Sequence, residues 1–350
     1  NQPVSNVMIR LILFLIAASQ LLSAQNNTTA QYTCSHQLNH PCFKHGETAK
    51  MQAANSRSDT IDIIHYDIQL TVTNFTAQAI SGQTLITLTP KIPDITQVLL
   101  DLQNMNVSNV TINSADVAFE YNSPLLRVFL PEPSSPGDTL FLGVSYNGNP
   151  ITASFGGFYF TSTYAYNLGV GIGVDPPNFG RVWFPCFDNF VERSTFSCHI
   201  TTAANHKAFC GGLLTGTTTN PDATKTWDWE LSQSIPTYLA SVAVSDYQTI
   251  SYTHPGVNAP IPVQLGARAV DTVNLKNSFI HLPDCISAFE DAWGPYRFDR
   301  VGFVVVPFNG GAMEHAANIA YPLFAVNGNL QWESLMAHEL SHHWWGDLVT

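Results

Sequence analysis

His338-Glu339-Leu340-Ser341-His342 places two imidazoles four residues apart with a carboxylate between them. On a helix, residues four apart share a face, so both rings can point at one ion while Glu339 stands beside them. Neutral imidazole suits zinc, and two histidines supply two of the three protein ligands of an open catalytic site whose remaining position holds water. Zinc lowers the pKa of such a water to about 7, and Glu339, outside the ligand pair, can take its proton as general base. The chemistry implied is metal-assisted hydrolysis, with one zinc per chain, His338 and His342 as ligands and Glu339 as catalytic base. The opposing reading is a chance match in a chain carrying 12 histidines, with both rings being core residues bonded to backbone carbonyls. Glu339 between them argues against it.

The element that must present this motif is a helix. Asn329 is placed to cap its start, Glu333 falls in the first turn, and Gly346 offers a stop. Trp332, Leu335, Met336, Leu340 and Trp344 give it so much apolar surface that it should be buried, histidines included. Upstream, Val301 to Val306 reads as a covered strand and Ile261 to Leu265 as a short one. Between them, Leu275, Phe279, Leu282, Ile286 and Phe289 give helical periodicity over Asp271 to Trp293, with a kink expected at Pro283. Residues 256–350 therefore read as α/β. The preceding stretch, 59–255, has a period of two. Tyr66, Ile68, Leu70 and Val72 alternate with polar residues, and further strands are expected at 84–89, 97–102, 109–112, 125–130, 139–146, 194–203 and 239–250. Short strands between frequent turn signals make an all-β sandwich or saddle. The pair Gly171 and Gly173 resembles part of a dinucleotide fingerprint, but the third Gly is missing and Pro176-Pro177 forbids a helix start there.

Charged residues make up only 11% of the chain, and the net charge is −12. An acidic chain without a basic run gives no support to nucleic-acid binding or to an anionic membrane surface. Residues 1–24 read as a secretory signal: Arg10 gives the positive region, Leu11 to Ala18 the apolar one, and Leu22-Ser23-Ala24 the small-residue cleavage site. That apolar run is too short to span a bilayer, so no membrane span is expected. The address implied is secreted, periplasmic or cell surface. Residues 25–58 read as a polar lead-in. Export permits disulfides among the six cysteines, 34, 42, 186, 198, 210 and 285, without choosing their pairing. Cys34 with Cys42 is the most local pair; Cys186 and Cys285 could equally be buried thiols. A metal site among Cys34, His36, His40, Cys42 and His45 fits no standard finger spacing.

Several segments, in order, resemble the aminopeptidase N-like family of zinc metallopeptidases, which also includes leukotriene hydrolases. His338 to Thr350 (HELSHHWWGDLVT) is similar to that family's zinc helix, and Gly311-Ala312-Met313-Glu314-His315 to its G-A-M-E-N motif. Phe184-Pro185-Cys186-Phe187-Asp188 resembles its F-P-C-x-D segment, and Pro236-Thr237-Tyr238-Leu239-Ala240 its P-x-Y-L-A strand. The resemblance implies an N-terminal β domain followed by the start of a thermolysin-like catalytic domain. It implies an exported zinc aminopeptidase acting on peptides with a free N-terminus. Glu314 would bind the substrate's α-amino group, and Gly311, Ala312 and Met313 would line the substrate strand. A carboxylate in a narrow, partly dry cleft pairs well with an ammonium, and glycine permits close approach.

Three departures from the family pattern stand out. His315 replaces the usual Asn. Val174, with Asp175 next to it, occupies the place where the family often has a Gln that helps grip the amine. The third zinc ligand, a Glu on the following helix, and the tyrosine that stabilises the oxyanion would both fall beyond Thr350, so these 350 residues alone are expected to show weak or no catalysis. Two rival readings follow: a non-catalytic secreted binding protein on the same fold, and a related epoxide hydrolase or endopeptidase. The intact set His338, Glu339, His342 and Glu314 argues against the first. Glu314 argues against a pure endopeptidase.

Overall fold

A computed structural model describes residues 57–348. The signal segment, the lead-in to residue 56, and the Cys34–Cys42 and Cys/His expectations lie outside the described residues. Ile61–Val72 is the strand from which the first sheet grows, because its alternation is strict: Tyr66, Ile68, Leu70 and Val72 are all buried, with polar residues between them facing out. From edge to edge the eight strands run Leu213–Thr219, Lys225–Ile235, Ser194–Thr202, Ile61–Val72, Ile80–Pro90, Leu140–Gly148, Met105–Ile112 and Ala115–Asp116. All neighbours are antiparallel except Ile61–Val72 and Ser194–Thr202, which pair in parallel with Tyr66 opposite Phe196. A three-stranded sheet (Ile95–Asp101, Leu125–Ser134, Phe119–Asn122) and a four-stranded one (Lys207–Cys210, Val242–Ser245, Ala165–Leu168, Gly157–Phe160) share one large core with it. This is the all-β first part that the alternation implies.

The motif segment Phe184 to Asp188 joins these layers. Asp101 and Cys186 exchange two backbone hydrogen bonds at 2.7 and 3.0 Å, and Phe187 N–H donates to the Tyr66 hydroxyl at 2.9 Å. Asp188 accepts from the Thr237 hydroxyl at 2.6 Å and from Arg181 N–H at 3.1 Å. Thr237 belongs to the Pro236 to Ala240 segment, in which Thr237–Leu239 forms a 3-10 turn rather than the expected strand.

The second sheet runs Tyr247–His254, Ile261–Arg268, Val301–Val306 and Ile319–Pro322. Only the first pair is antiparallel. Because Tyr247–His254 pairs residue by residue with Ile261–Arg268, the change of sheet falls at Asp246, earlier than the composition boundary at 255. Val301–Val306 is buried at every position, as a covered central strand must be. The helical stretch 271–293 is two helices, α1 (Thr272–Ser278) and α2 (Leu282–Trp293), rather than one with a kink. Pro283 lies in the first turn of α2, where its missing N–H has no intrahelical acceptor to lose. The third helix, α3 (Glu333–Ser341), packs Met336 and Leu340 into this second core together with Trp344. The four cysteines among the described residues are free thiols, three of them buried and Cys285 half-buried. No helix among the described residues is long and apolar enough to cross a membrane.

Candidate metal and amine site

Helix α3 begins without the expected cap. Trp332 occupies the N-cap and no side chain bonds there, because Asn329 uses its Oδ1 on Gln331 N–H at 2.9 Å inside the preceding turn. Glu333 is in the first turn as expected, where a negative charge suits the helix dipole, and it pairs with His281. The regular helix stops at Ser341, short of Gly346. His342 nevertheless keeps helical angles (φ −59°, ψ −29°), so the four-residue spacing holds its geometry.

The two rings face one another. His338 Nε2 and His342 Nε2 are 3.2 Å apart, with ring planes at 85°. The edge of a coordination tetrahedron with Zn–N of about 2.0–2.1 Å is about 3.3 Å, so the separation suits two nitrogens sharing one zinc. His342 donates Nδ1–H to the Trp345 carbonyl at 3.2 Å, which fixes the tautomer and leaves the Nε2 lone pair pointing at His338. His342 is buried, whereas His338 is exposed, against the expectation that both would be covered: it projects from the side of α3 opposite Met336 and Leu340.

Donor atoms of Glu314, Glu339 and His342 lie within 4.8 Å of one another, all three residues being buried. Among the described residues neither oxygen of Glu339 accepts a hydrogen bond. Burial, then the neighbouring Glu314, holds the Glu339 carboxyl well above the ordinary range. Asp347 is buried beside them and is raised by burial, Glu314 and Glu339 in turn, with Arg193 opposing. Three carboxylates gathered in a water-poor space are costly unless cations join them. The residues present thus fit a divalent metal on the histidine side and an ammonium on the Glu314 side.

The segment carrying Glu314 is held from three directions. Met313 exchanges two backbone bonds with Ala320 at 3.0 and 2.9 Å, and Ala316 N–H donates to Leu239 O at 3.2 Å. Met313 therefore spends its peptide groups and its fully buried side chain on the fold, so of the expected substrate-lining residues Gly311 and Ala312 have their backbone to offer. Gly311 adopts φ +142°, a conformation that side chains oppose. His315 is buried and neutral, its pKa driven down to about 3 by desolvation, and its Nε2 accepts from Asn167 Nδ2 at 3.3 Å. The same amide donates to Ala240 O at 3.0 Å and takes Val242 N–H at 2.7 Å, tying the histidine to the Pro236 to Ala240 segment.

Sequence reasoning missed a second set. His343, next to the ligand pair, donates Nδ1–H to the Tyr296 hydroxyl at 2.8 Å, and that hydroxyl donates to Arg300 O at 2.8 Å. Its Nε2 accepts Ala317 N–H at 3.3 Å, which locks the helix end to the Glu314 segment. Arg300 is buried, with no carboxylate partner among the described residues. Its guanidinium donates to the carbonyls of Gly212, Cys210 and Ala317 and to Gln264 Oε1, at 2.6 to 2.8 Å, over the Trp229 ring. Ala317, gripped by both, sits at φ +56°, a strained angle for a residue with a side chain. Tyr238 and Asp347 also belong here, Tyr238 lying close enough to Glu314 for that carboxylate to raise its hydroxyl pKa after burial. Tyr238, His343 and Asp347 fall inside quoted motif segments, whereas Tyr296 and Arg300 fall in none. Val174, by contrast, is exposed on a surface loop.

Comparison with known proteins gives this fold and site a family. A sequence profile of the Peptidase M1 N-terminal domain matches residues 63–239, and the chain belongs to the M1 family of aminopeptidase N-like zinc metallopeptidases. It is 26% identical over 314 residues to human endoplasmic reticulum aminopeptidase 1, covering 82% of this chain and 32% of that protein. To leucine aminopeptidase 2 of Pyricularia oryzae it is 26% identical over 269 residues, covering 73% of this chain and 42% of the fungal protein. The chain thus spans about a third to two fifths of the length of these relatives. Among solved structures, a two-domain M1 zinc metallopeptidase bound to L-tryptophan superposes with a TM-score of 0.74 at 24% identity, over 83% of this chain and 66% of that one. The M1 zinc metallopeptidase from Deinococcus radiodurans gives 0.72 at 25% identity, over 82% and 65%. The family accounts for the two-part fold and implies zinc.

Proposed function

We propose that the protein is an exported zinc aminopeptidase that removes N-terminal residues from peptides. The observation that carries the reading is the gathering of donor atoms of buried Glu314, Glu339 and His342 within 4.8 Å of one another, with His338 Nε2 3.2 Å from that of His342. His338 and His342 would hold the metal, completed by a carboxylate from the following helix as the family resemblance implies. Zinc, when bound, supplies Lewis-acid polarisation and an acidified water. Glu339 takes the proton of the attacking water and returns it to the departing amine. Glu314 binds the ammonium of the first residue by a charge-assisted hydrogen bond. Backbone groups of Gly311 and Ala312 pair with the substrate strand. Burial keeps His315 neutral, so it adds no charge to compete with the incoming ammonium.

The test uses protein made from the whole reading frame. Peptides with a free N-terminus should be trimmed from that end, their N-acetylated counterparts should resist, and a chelator should abolish trimming. Equal cleavage of both sets would favour an endopeptidase, and cleavage of neither would favour the binding-protein reading.

A further inference from the structure

The hairpin loop between the strands Ile61–Val72 and Ile80–Pro90 carries Asn74-Phe75-Thr76, an Asn-x-Thr triplet with no proline in the middle. That pattern is the acceptor for N-linked oligosaccharide in exported chains. The loop presents it in a form that a bulky sugar can occupy. Asn74 and Thr76 are exposed, while Phe75 between them is buried, stacked flat on His206 at 4.8 Å and tilted against Phe160. The buried ring anchors the triplet and turns its two outer residues to solvent. Asn74 Oδ1 accepts the N–H groups of Thr76 and Ala77 at 3.0 and 3.2 Å. With the oxygen of a planar amide turned inward, the nitrogen faces outward, and no hydrogen bond among the described residues takes it. Among the described residues two further triplets begin at Asn106 and Asn109, but both lie inside the strand Met105–Ile112, and Asn109 already donates its amide to Asp116 at 3.0 Å.

We propose that Asn74 is an N-glycosylation site. The donor class is an oligosaccharide on a polyprenyl diphosphate. Nδ2 of Asn74 bonds to the anomeric carbon as the bond from that carbon to the diphosphate oxygen breaks; the amide nitrogen loses one proton and the polyprenyl diphosphate leaves. The Thr76 hydroxyl is the part of the triplet that the transferase reads. The proposal rests on the reading that the chain is exported.

The experiment separates the two ideas. The whole reading frame is secreted from cultured animal cells, once with its own leader and once with residues 1–24 replaced by a known secretory leader. The Asn74 peptide is then followed by mass spectrometry before and after peptide-N-glycosidase, which leaves Asp where a sugar was attached. Expected is conversion at position 74 with either leader, its loss in Thr76→Ala, and its retention in Thr76→Ser. An unmodified Asn74 peptide as the main form from the known leader overturns the proposal. Conversion with the known leader alone supports the site and overturns export by the chain's own leader.

Discussion

Asp188 offers a quantitative test of how the first domain is fastened to the site. Its carboxylate is buried, accepts from Thr237 and Arg181, and stands 4.0 Å from the Arg181 guanidinium. Burial raises its pKa from the ordinary 3.8 to about 6, with the Arg181 charge and the two hydrogen bonds pulling the other way. A carboxyl whose folded pKa lies above its unfolded value binds its proton more tightly when folded. Its contribution to stability therefore grows as pH falls through the folded pKa and levels off near the unfolded one. Between the two values the slope approaches about 1.4 kcal/mol per pH unit, and integration from pH 7 to pH 5 gives about 1.3 kcal/mol. Asp188→Asn keeps the shape and cannot titrate. Urea unfolding of wild type and variant at pH 7 and pH 5 isolates the effect, because groups common to both cancel in the difference. Wild type should gain about 1.3 kcal/mol on the variant as pH falls. A difference that stays constant, or moves against wild type, would show that Arg181 outweighs burial and would refute the reasoning. The result bears on function because the Asp188 to Thr237 contact holds the segment that sets Tyr238 beside Glu314.

Three other changes have defined outcomes. Glu314→Gln removes a charge-assisted bond worth about 1.5–3 kcal/mol, so kcat/KM for free-amino substrates should fall by roughly 10- to 150-fold; an unchanged value would remove Glu314 from amine binding. His343→Leu strands the buried Ala317 N–H and should cost about 1–3 kcal/mol in calorimetry, whereas a variant as stable as wild type would mean the helix end and the Glu314 segment are joined by other means. Gly169→Ala would put a Cβ 1.7 Å from the Tyr238 carbonyl oxygen, so a loss of about 3 kcal/mol or more, or failure to fold, is expected. Normal melting of that variant would contradict the packing described.

What could be read beforehand was what short-range pattern determines. The alternation in Tyr66 to Val72 gave its strand, the unbroken apolar run Val301 to Val306 its covered strand, and the His338/His342 spacing its shared face. Lys225–Ile235 is a strand outside the expected set, although Trp227, Trp229 and Leu231 alternate inward there. Leu213–Thr219 carries no alternation, its residues being nearly all exposed, and exists as a strand only by pairing with its neighbour. Periodicity continues across Pro283, and local pattern does not distinguish a bent helix from two in line. Asn329 has the right chemistry for a cap and a nearer claim on its oxygen. The Arg300, Tyr296 and His343 set was invisible for another reason: Arg300 meets Cys210 across 90 residues of chain, and no local signal encodes such a contact. Asp347 lay within the quoted zinc-helix segment, yet its carboxylate matters only once Glu314 and Glu339 are brought beside it.

The central claim is that Glu339 handles the proton while His338 and His342 hold the metal. Glu339→Gln, made in the whole protein, tests it when zinc content and aminoacyl-arylamide turnover are measured on the same sample. The account predicts zinc retained at the wild-type level and turnover reduced by roughly 10²- to 10⁴-fold, the usual contribution of a positioned general base. Turnover that survives, or zinc that leaves together with the carboxylate, would contradict it.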